Sequence, residues 1–140
     1  MSPLPLARGV QPEPIRVIVC DPVPVRRAFV RDLLEHEPRI AVIDELDDLE
    51  SVDLAAERAT PDVVIVAIAG TRITEAVLLA RLATLATAGA ILALCDSDQR
   101  RSGPGRLIRL PRSIGRAGLR REVLAAGART VRPSSRLVRG

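Results

Sequence analysis

The chain of 140 residues is 47% apolar, so it can bury one hydrophobic core, and we expect a single domain. Its 21 basic residues are all arginines, which excludes a Schiff-base lysine, a lysine general base and the lysine of a phosphate-binding P-loop. The net charge of +4 divides into an acidic part, residues 1–98, with 9 arginines and 16 acidic residues, and a basic part, residues 99–140, with 12 arginines and one acidic residue.

The chain begins with a proline-rich stretch and then alternates between strand and helix patterns. Residues 1–14 hold four prolines and no apolar period, so we predict a disordered leader. The apolar, β-branched run at 15–20 predicts a strand that is covered on both faces. Pro24 suits a first helical turn, and apolar residues then recur at helical spacing. These residues are Val25, Phe29, Val30, Leu33 and Leu34.

The same alternation continues through the middle of the chain. Apolar runs predict further strands at 39–43, 62–68 and 90–95, and helical spacing predicts helices at 49–59 and 74–88. Strands that alternate with helices indicate a parallel sheet with right-handed crossovers and helices on both faces. The predicted fold class is therefore α/β.

The connection after the fourth strand is too short for a normal crossover. Only ten residues, 96–105, separate that strand from the predicted fifth strand at 106–110, whereas a parallel crossover commonly needs a dozen or more. The segment also contains Gly103, Pro104 and Gly105, which disfavour a helix. We therefore predict that the fourth helix is shortened or missing.

The chain closes with a helix and a basic segment. Helical spacing predicts the last helix at 117–127, ending at Gly127, because glycine is a common residue after a helix C-terminus. The predicted globular domain is therefore 15–127. Residues 128–140 are expected to be a basic tail or an interdomain linker.

Ligands of an open parallel sheet bind beyond the carboxyl ends of the strands. Those ends carry Cys20 and Asp21, then Ala67, then Cys95 and Asp96, and finally Leu110 to Arg112. The first turn contains no glycine-rich phosphate loop, and His36 is the only histidine, so we expect no catalytic residues and no nucleotide cofactor. The acidic cluster at 44–53 lacks the turn glycine of a calcium loop. It is expected to favour a helix N-terminus instead of a metal site.

The two cysteines, Cys20 and Cys95, raise a redox alternative. No signal-peptide pattern or disulfide framework is present, so we expect a reducing, cytoplasmic setting. With one strand between them, their backbones would be about 9 to 10 Å apart, beyond the roughly 7 Å that a disulfide allows. We expect buried, inert thiols, with a small-ligand or redox sensor at this edge as the alternative.

Two stretches resemble response-regulator receiver domains of the type that precede LuxR-type helix-turn-helix domains. The stretch at 15–70, "IRVIVCDPVPVRRAFVRDLLEHEPRIAVIDELDDLESVDLAAERATPDVVIVAIAG", follows that family's first three strands and two helices. The stretch at 119–138, "LRREVLAAGARTVRPSSRLV", resembles its last helix and the following linker. The resemblance implies a flavodoxin-like, doubly wound sheet of five parallel strands in the order 2-1-3-4-5, and a phosphoryl switch.

The parts of that switch are largely absent at the matching positions. In the family, an acid pair after the first strand holds magnesium, a carboxylate ending the third strand accepts the phosphoryl group, and a hydroxyl and a lysine on later strands contact it. Here the acid pair corresponds to Cys20 and Asp21, and the carboxylate to Ala67. The hydroxyl corresponds to Cys95, and the lysine to Arg112, or to Leu110 in an alignment shifted by two. Asp21 has the alternative role of capping the first helix. Asp96 or Asp98 is an alternative for the missing acid, although no spacing requires it.

These correspondences predict a degenerate pseudo-receiver. The expected function is a non-enzymatic regulatory domain that acts through protein contacts without aspartate phosphorylation, in transcriptional regulation. The expected partner is a protein or a second copy of the chain, with no membrane contact and DNA contact only through a C-terminal domain that this sequence does not contain. An arginine-rich nucleic-acid-binding module is a further alternative. The predicted interaction face carries Arg106, Arg109, Arg116 and Arg120.

Overall fold

The computed structural model describes residues 13–68, 75–82, 89–95, 101–102 and 107–130. Its strands are β1 (Ile15–Cys20), β2 (Ile40–Leu46), β3 (Val63–Ala67), β4 (Ala90–Cys95), β5 (Arg101–Ser102) and β6 (Leu107–Pro111). Its α-helices are α1 (Pro24–Glu35), α2 (Val52–Ala59), α3 (Glu75–Leu82) and α4 (Arg116–Thr130), and 3-10 turns lie at Leu49–Ser51 and Arg112–Ile114. No helix within these ranges has the length and apolar composition needed to cross a membrane.

The strands form one sheet in the order β2-β1-β3-β4-β6-β5. Five of them are parallel, and their order is the predicted 2-1-3-4-5. The predicted flavodoxin-like fold class is therefore confirmed. The two-residue strand β5 is an addition, since it pairs antiparallel with β6 at the sheet edge.

Helices cover both faces of the sheet because the central strands are apolar on both faces. On one face, Val17, Val19, Ile65 and Leu92 form a core with Leu34 of α1 and with α4. On the other face, alternate residues of the same strands pack against α2 and α3. This alternation is the consequence of successive strand side chains pointing to opposite faces. It leaves the carboxyl ends of the strands as the natural place for a site.

The prediction that the helix between β4 and β6 is shortened or missing is confirmed. Arg101 and Ser102 lie in the middle of this connection, and they pair with Arg109 and Ile108 as strand β5. The sheet edge is therefore closed by a short strand.

Two sequence predictions about the first half of the chain were wrong. Strand β2 continues to Leu46, three residues beyond the predicted end at 43, so Asp44 and Glu45 lie in a strand and not before a helix. A bulge makes this continuation possible, since the register with β1 jumps by one residue at Ile43. Val25 and Phe29 are exposed and do not face the core. The core side of α1 is formed by Val30, Leu33 and Leu34.

The predicted end of the last helix at Gly127 was also wrong, because α4 continues to Thr130. Gly127 is buried inside the helix, against the side chain of Ile15 at the start of β1. A Cβ atom at this position would approach three atoms of Ile15 to 2.4–2.6 Å. Glycine is thus required here for close packing and does not stop the helix. Residues 13 and 14 of the predicted leader and 128–130 of the predicted tail are described, the last three within α4, and the rest of both segments lies outside the described residues.

Candidate functional site

The carboxyl edge of the sheet brings together the residues that the sequence placed there. Cys20, Ala67 and Cys95 end the neighbouring strands β1, β3 and β4. Cys20 pairs with Val66 and Ala67 pairs with Leu94, so each strand ends one position beyond the one before it. All three are buried, and the side of β4 is closed by β6, whose Pro111 pairs with Cys95. Arg112 follows directly, half-buried in a 3-10 turn. The edge is therefore a closed, mainly apolar layer.

Asp21 is the exception to this apolar character. It is 3% exposed, and among the described residues it is the only charged residue that is buried. Its Oδ2 accepts a hydrogen bond from Arg26 Nε at 3.0 Å, and its Oδ1 accepts one from Arg26 Nη2 at 2.9 Å. Oδ1 also accepts a hydrogen bond from the backbone N–H of Val23 at 2.8 Å. Both oxygens of the carboxylate are thus engaged within the chain.

The backbone of Asp21 is equally well bonded. Its N–H donates to the carbonyl of Leu46 at 3.0 Å, and its carbonyl accepts from Arg27 Nη1 at 2.8 Å. Val23 is the N-cap residue of α1 and has no side-chain cap. The carboxylate of Asp21 therefore accepts a hydrogen bond from the N-cap residue of α1. This contact is close to the helix-capping role predicted for Asp21.

The residues at this edge do not fit the magnesium ion that the resemblance implies. Mg²⁺ demands near-octahedral oxygen ligands, but Ala67 has no side-chain oxygen and Cys20 presents sulfur. The oxygens of Asp21 already face Arg26 and Val23. Within the described ranges, no group of three or more metal-ligating side chains exists. Asp96, which follows Cys95 in the sequence, lies outside them.

Both cysteines are packed as apolar residues. The Sγ of Cys20 lies 3.4 Å from the carbonyl oxygen of Asp48, and the Sγ of Cys95 lies 3.5 Å from that of Ala93. Burial raises the pKa of Cys20 to about 12, and the neighbouring charges of Asp48 and Asp21 act in the same direction. Because the thiolate is the reactive form, this environment does not favour the redox alternative.

We expect native Cys20 and Cys95 to resist alkylation. Neither thiol has a path to a reagent, and the raised pKa keeps Cys20 protonated at neutral and mildly alkaline pH. Iodoacetamide labelling followed by intact-mass measurement should show no adduct on the folded chain and two in denaturant. Rapid labelling of one cysteine in the folded chain would support the alternative of a thiol-based sensor.

The described arginines of the predicted interaction face come from both faces of the sheet. Arg109 is half-buried in β6 and shares a sheet face with Leu107, the face covered by α2 and α3. Arg116 and Arg120 are on α4, which covers the opposite face. The Arg116 Cζ lies 5.0 Å from the centre of the Phe29 ring, within the range of a cation–π contact. Arg106 lies outside the described residues.

Sequence reasoning missed Arg26, Arg27 and Glu45. Arg26 and Arg27 bond the side chain and the backbone of Asp21, and Glu45 of β2 lies 3.8 Å from Arg27. One signal was present in the sequence: the first turn of α1 contains arginine and no acidic residue. Since a helix N-terminus favours negative charge, an arginine there indicates a nearby acid that compensates it.

The comparisons with known proteins identify the fold. No family model and no curated protein matches the chain. Among solved structures, the signal receiver domain of NarL from Mycobacterium tuberculosis is 20% identical, with a TM-score of 0.68 over 84% of this chain and 98% of that one. A LuxR-family two-component response regulator from Aurantimonas sp. SI85-9A1 is 20% identical, with a TM-score of 0.66 over 83% and 86%.

A third match extends beyond the length of this chain. RcsB from Salmonella enterica serovar Typhimurium, in a structure bound to promoter rprA with the phosphomimetic BeF3⁻, is 15% identical with a TM-score of 0.63. The match covers 84% of this chain and 61% of RcsB. The chain thus has the fold of a response-regulator receiver domain.

Proposed function

We propose that this chain is a non-enzymatic pseudo-receiver, a regulatory domain that acts through protein contacts without aspartate phosphorylation. The fold supports a regulatory role in signal transduction. The observation that carries the finer proposal is Ala67, a buried methyl group at the carboxyl end of β3. The likeness to a LuxR-family regulator and to promoter-bound RcsB supports a place in transcriptional regulation.

Phosphoryl transfer to a protein needs an attacking oxygen, a cation that neutralises the phosphate and groups that position it. Ala67 offers no attacking atom, and the carboxylate of Asp21 is engaged by Arg26. Cys95, at the end of β4, is buried and directs its thiol to a backbone carbonyl. The missing attacking group and the engaged carboxylate therefore support the proposal, while the apolar layers on both faces of the sheet are retained.

Signals would then pass through the outer surface of this scaffold. The exposed side of α1 carries Val25 and Phe29, and Arg116 of α4 lies over the Phe29 ring. Aromatic residues and arginine are enriched at protein interfaces. We place the contact with a protein partner, or with a second copy of the chain, on this surface of α1 and α4.

Nucleic acid is the second candidate partner, and the charge of α4 favours it. Arg116, Arg121 and Arg129 are exposed on this helix, and arginine contacts to phosphate make affinity depend steeply on salt. Binding to duplex DNA that disappears between low and physiological salt, without sequence preference, would support this candidate over a protein partner.

The proposal is tested by adding beryllium trifluoride and Mg²⁺ to the isotopically labelled chain. We expect the amide signals of Cys20, Asp21 and Ala67 to keep their chemical shifts, because Ala67 has no carboxylate to hold the phosphomimetic and the carboxylate of Asp21 is bonded to Arg26. A receiver domain that retains the third-strand aspartate serves as the positive control. Saturable shifts at these residues in the present chain would show that the pocket still responds.

A further inference from the structure

The buried carboxylate of Asp21 already has a cation beside it. We infer that the guanidinium of Arg26 is a permanent internal counter-ion, which occupies the oxygens that a divalent cation would need and holds the β1–α1 connection in one arrangement. This inference deepens the proposed function and rests on it. It explains how the pocket keeps its shape with neither a metal ion nor a phosphoryl group.

The geometry is that of a two-point ion pair. Arg26 Nε and Nη2 donate to different oxygens of Asp21, at 3.0 and 2.9 Å. This fork matches the plane of a carboxylate, and such charge-assisted pairs are stronger than neutral hydrogen bonds. The Asp21 side chain is 4% exposed, whereas that of Arg26 is 37% exposed. The guanidinium therefore covers the carboxylate on its solvent side.

The position of Arg26 on α1 makes this contact a local one. Arg26 is the third residue of the helix, and helical side chains lean towards the N-terminus. The side chain therefore reaches back to Asp21, the residue that directly follows β1. Asp21 in turn places negative charge ahead of a helix whose first turn contains no acidic residue, which the helix dipole favours.

Two neighbouring arginines of α1 also form ion pairs with strand β2. Arg27 donates to the carbonyl of Asp21 and lies near Glu45 of β2. Arg31, one turn further along, donates to the other carboxylate oxygen of Glu45 at 3.3 Å. The carboxyl ends of β1 and β2 are thus tied to one face of α1. A Mg²⁺ ion could reach Asp21 only by displacing Arg26 and by shedding water, which it does reluctantly.

The test compares urea unfolding in millimolar MgCl2 and in NaCl of equal ionic strength. For the unchanged chain we expect the same midpoint in both salts. R26Q should have a lower unfolding midpoint than the unchanged chain. Mg²⁺ should raise the midpoint of R26Q, because the ion can then bind the unpaired carboxylate of Asp21 and stabilise the folded state. The double variant D21N/R26Q should recover stability without Mg²⁺, since the buried charge is gone.

R31Q is the matched control, because it removes the same charge from the same helix without touching Asp21. It should lower the midpoint only slightly and show no Mg²⁺ effect. R26K keeps the charge but loses the fork, so its midpoint should lie between those of the unchanged chain and R26Q. Should R26Q fail to fold, R26K and the following measurement still decide the question.

Mn²⁺ added to the unchanged, isotopically labelled chain gives the second readout. We expect no selective paramagnetic broadening of the Asp21 and Val23 amides. Selective broadening there, or an R26Q midpoint that ignores Mg²⁺, would overturn the counter-ion role. Neither result would restore an attacking group at Ala67, whereas a phosphorylated chain that still excludes Mn²⁺ would contradict only the proposed function.

Discussion

Replacing Ala67 by aspartate should destabilise the fold by about 2 to 4 kcal/mol at neutral pH, the cost of burying an unpaired charge. Ala67 is 3% exposed, at the end of a strand that is buried throughout. Cys20 of β1 pairs with Val66 of β3. The next residues along these two neighbouring strands, Asp21 and Ala67, therefore lie side by side. A second carboxylate would therefore stand near the one already buried there, and like charges raise each other's pKa. Urea unfolding followed by circular dichroism measures the loss.

The variant A67N separates the effect of the added charge on stability from the effect of the larger side chain. It should lose less stability than A67D, because asparagine has nearly the same shape and carries no charge. Burial raises the folded-state pKa of an acid, so the excess loss of A67D should be full at neutral pH and shrink as pH falls through that raised pKa. Equal stability of A67D and the unchanged chain at neutral pH would mean that the pocket still accommodates a second acid.

Replacing Gly127 by alanine should also destabilise the fold, by roughly 1 to 3 kcal/mol, the usual cost of overpacking. In an ordinary helix interior the same change gains roughly 0.5 to 1 kcal/mol. The sign is reversed here because the new methyl group would overlap the side chain of Ile15, which is itself buried. Thermal or urea unfolding of G127A measures the effect.

Two further variants show whether the Ile15 contact is the cause. The loss caused by G127A should be smaller in an I15A background, because the smaller side chain makes room, and such coupling marks residues in contact. A128G, at the exposed neighbouring position, should lose about 1 kcal/mol through helix propensity alone. A stabilised G127A would mean that the helix is not packed against β1 at this point.

The architecture could be predicted because it follows from alternating apolar patterns. The runs at 15–20, 62–68 and 90–95 are apolar on both faces, which is the pattern of buried parallel strands. Their carboxyl ends meet at one edge in any such sheet. The grouping of Cys20, Ala67 and Cys95 therefore needed no knowledge of tertiary contacts. The short connection after Cys95 indicated the missing helix by length alone.

Other features depend on three-dimensional contacts that no local pattern contains. Gly127 matched a helix stop, yet it is required by the approach of Ile15, which lies more than a hundred residues earlier in the sequence. The apolar Val25 and Phe29 fitted a helical stripe, but they are exposed, and the buried residues of α1 are Val30, Leu33 and Leu34. The pairing of Asp21 with Arg26 depends on side-chain direction, which spacing suggests only once the helix start is known.

The proposed loss of aspartate phosphorylation can be measured by intact-mass spectrometry after incubation with a small-molecule phosphodonor and Mg²⁺. We expect an unchanged mass for this chain, under conditions that label a receiver domain with a third-strand aspartate. A stoichiometric phosphoryl adduct, mapped to Asp21 or to any other residue at the carboxyl edge of the sheet, would contradict it.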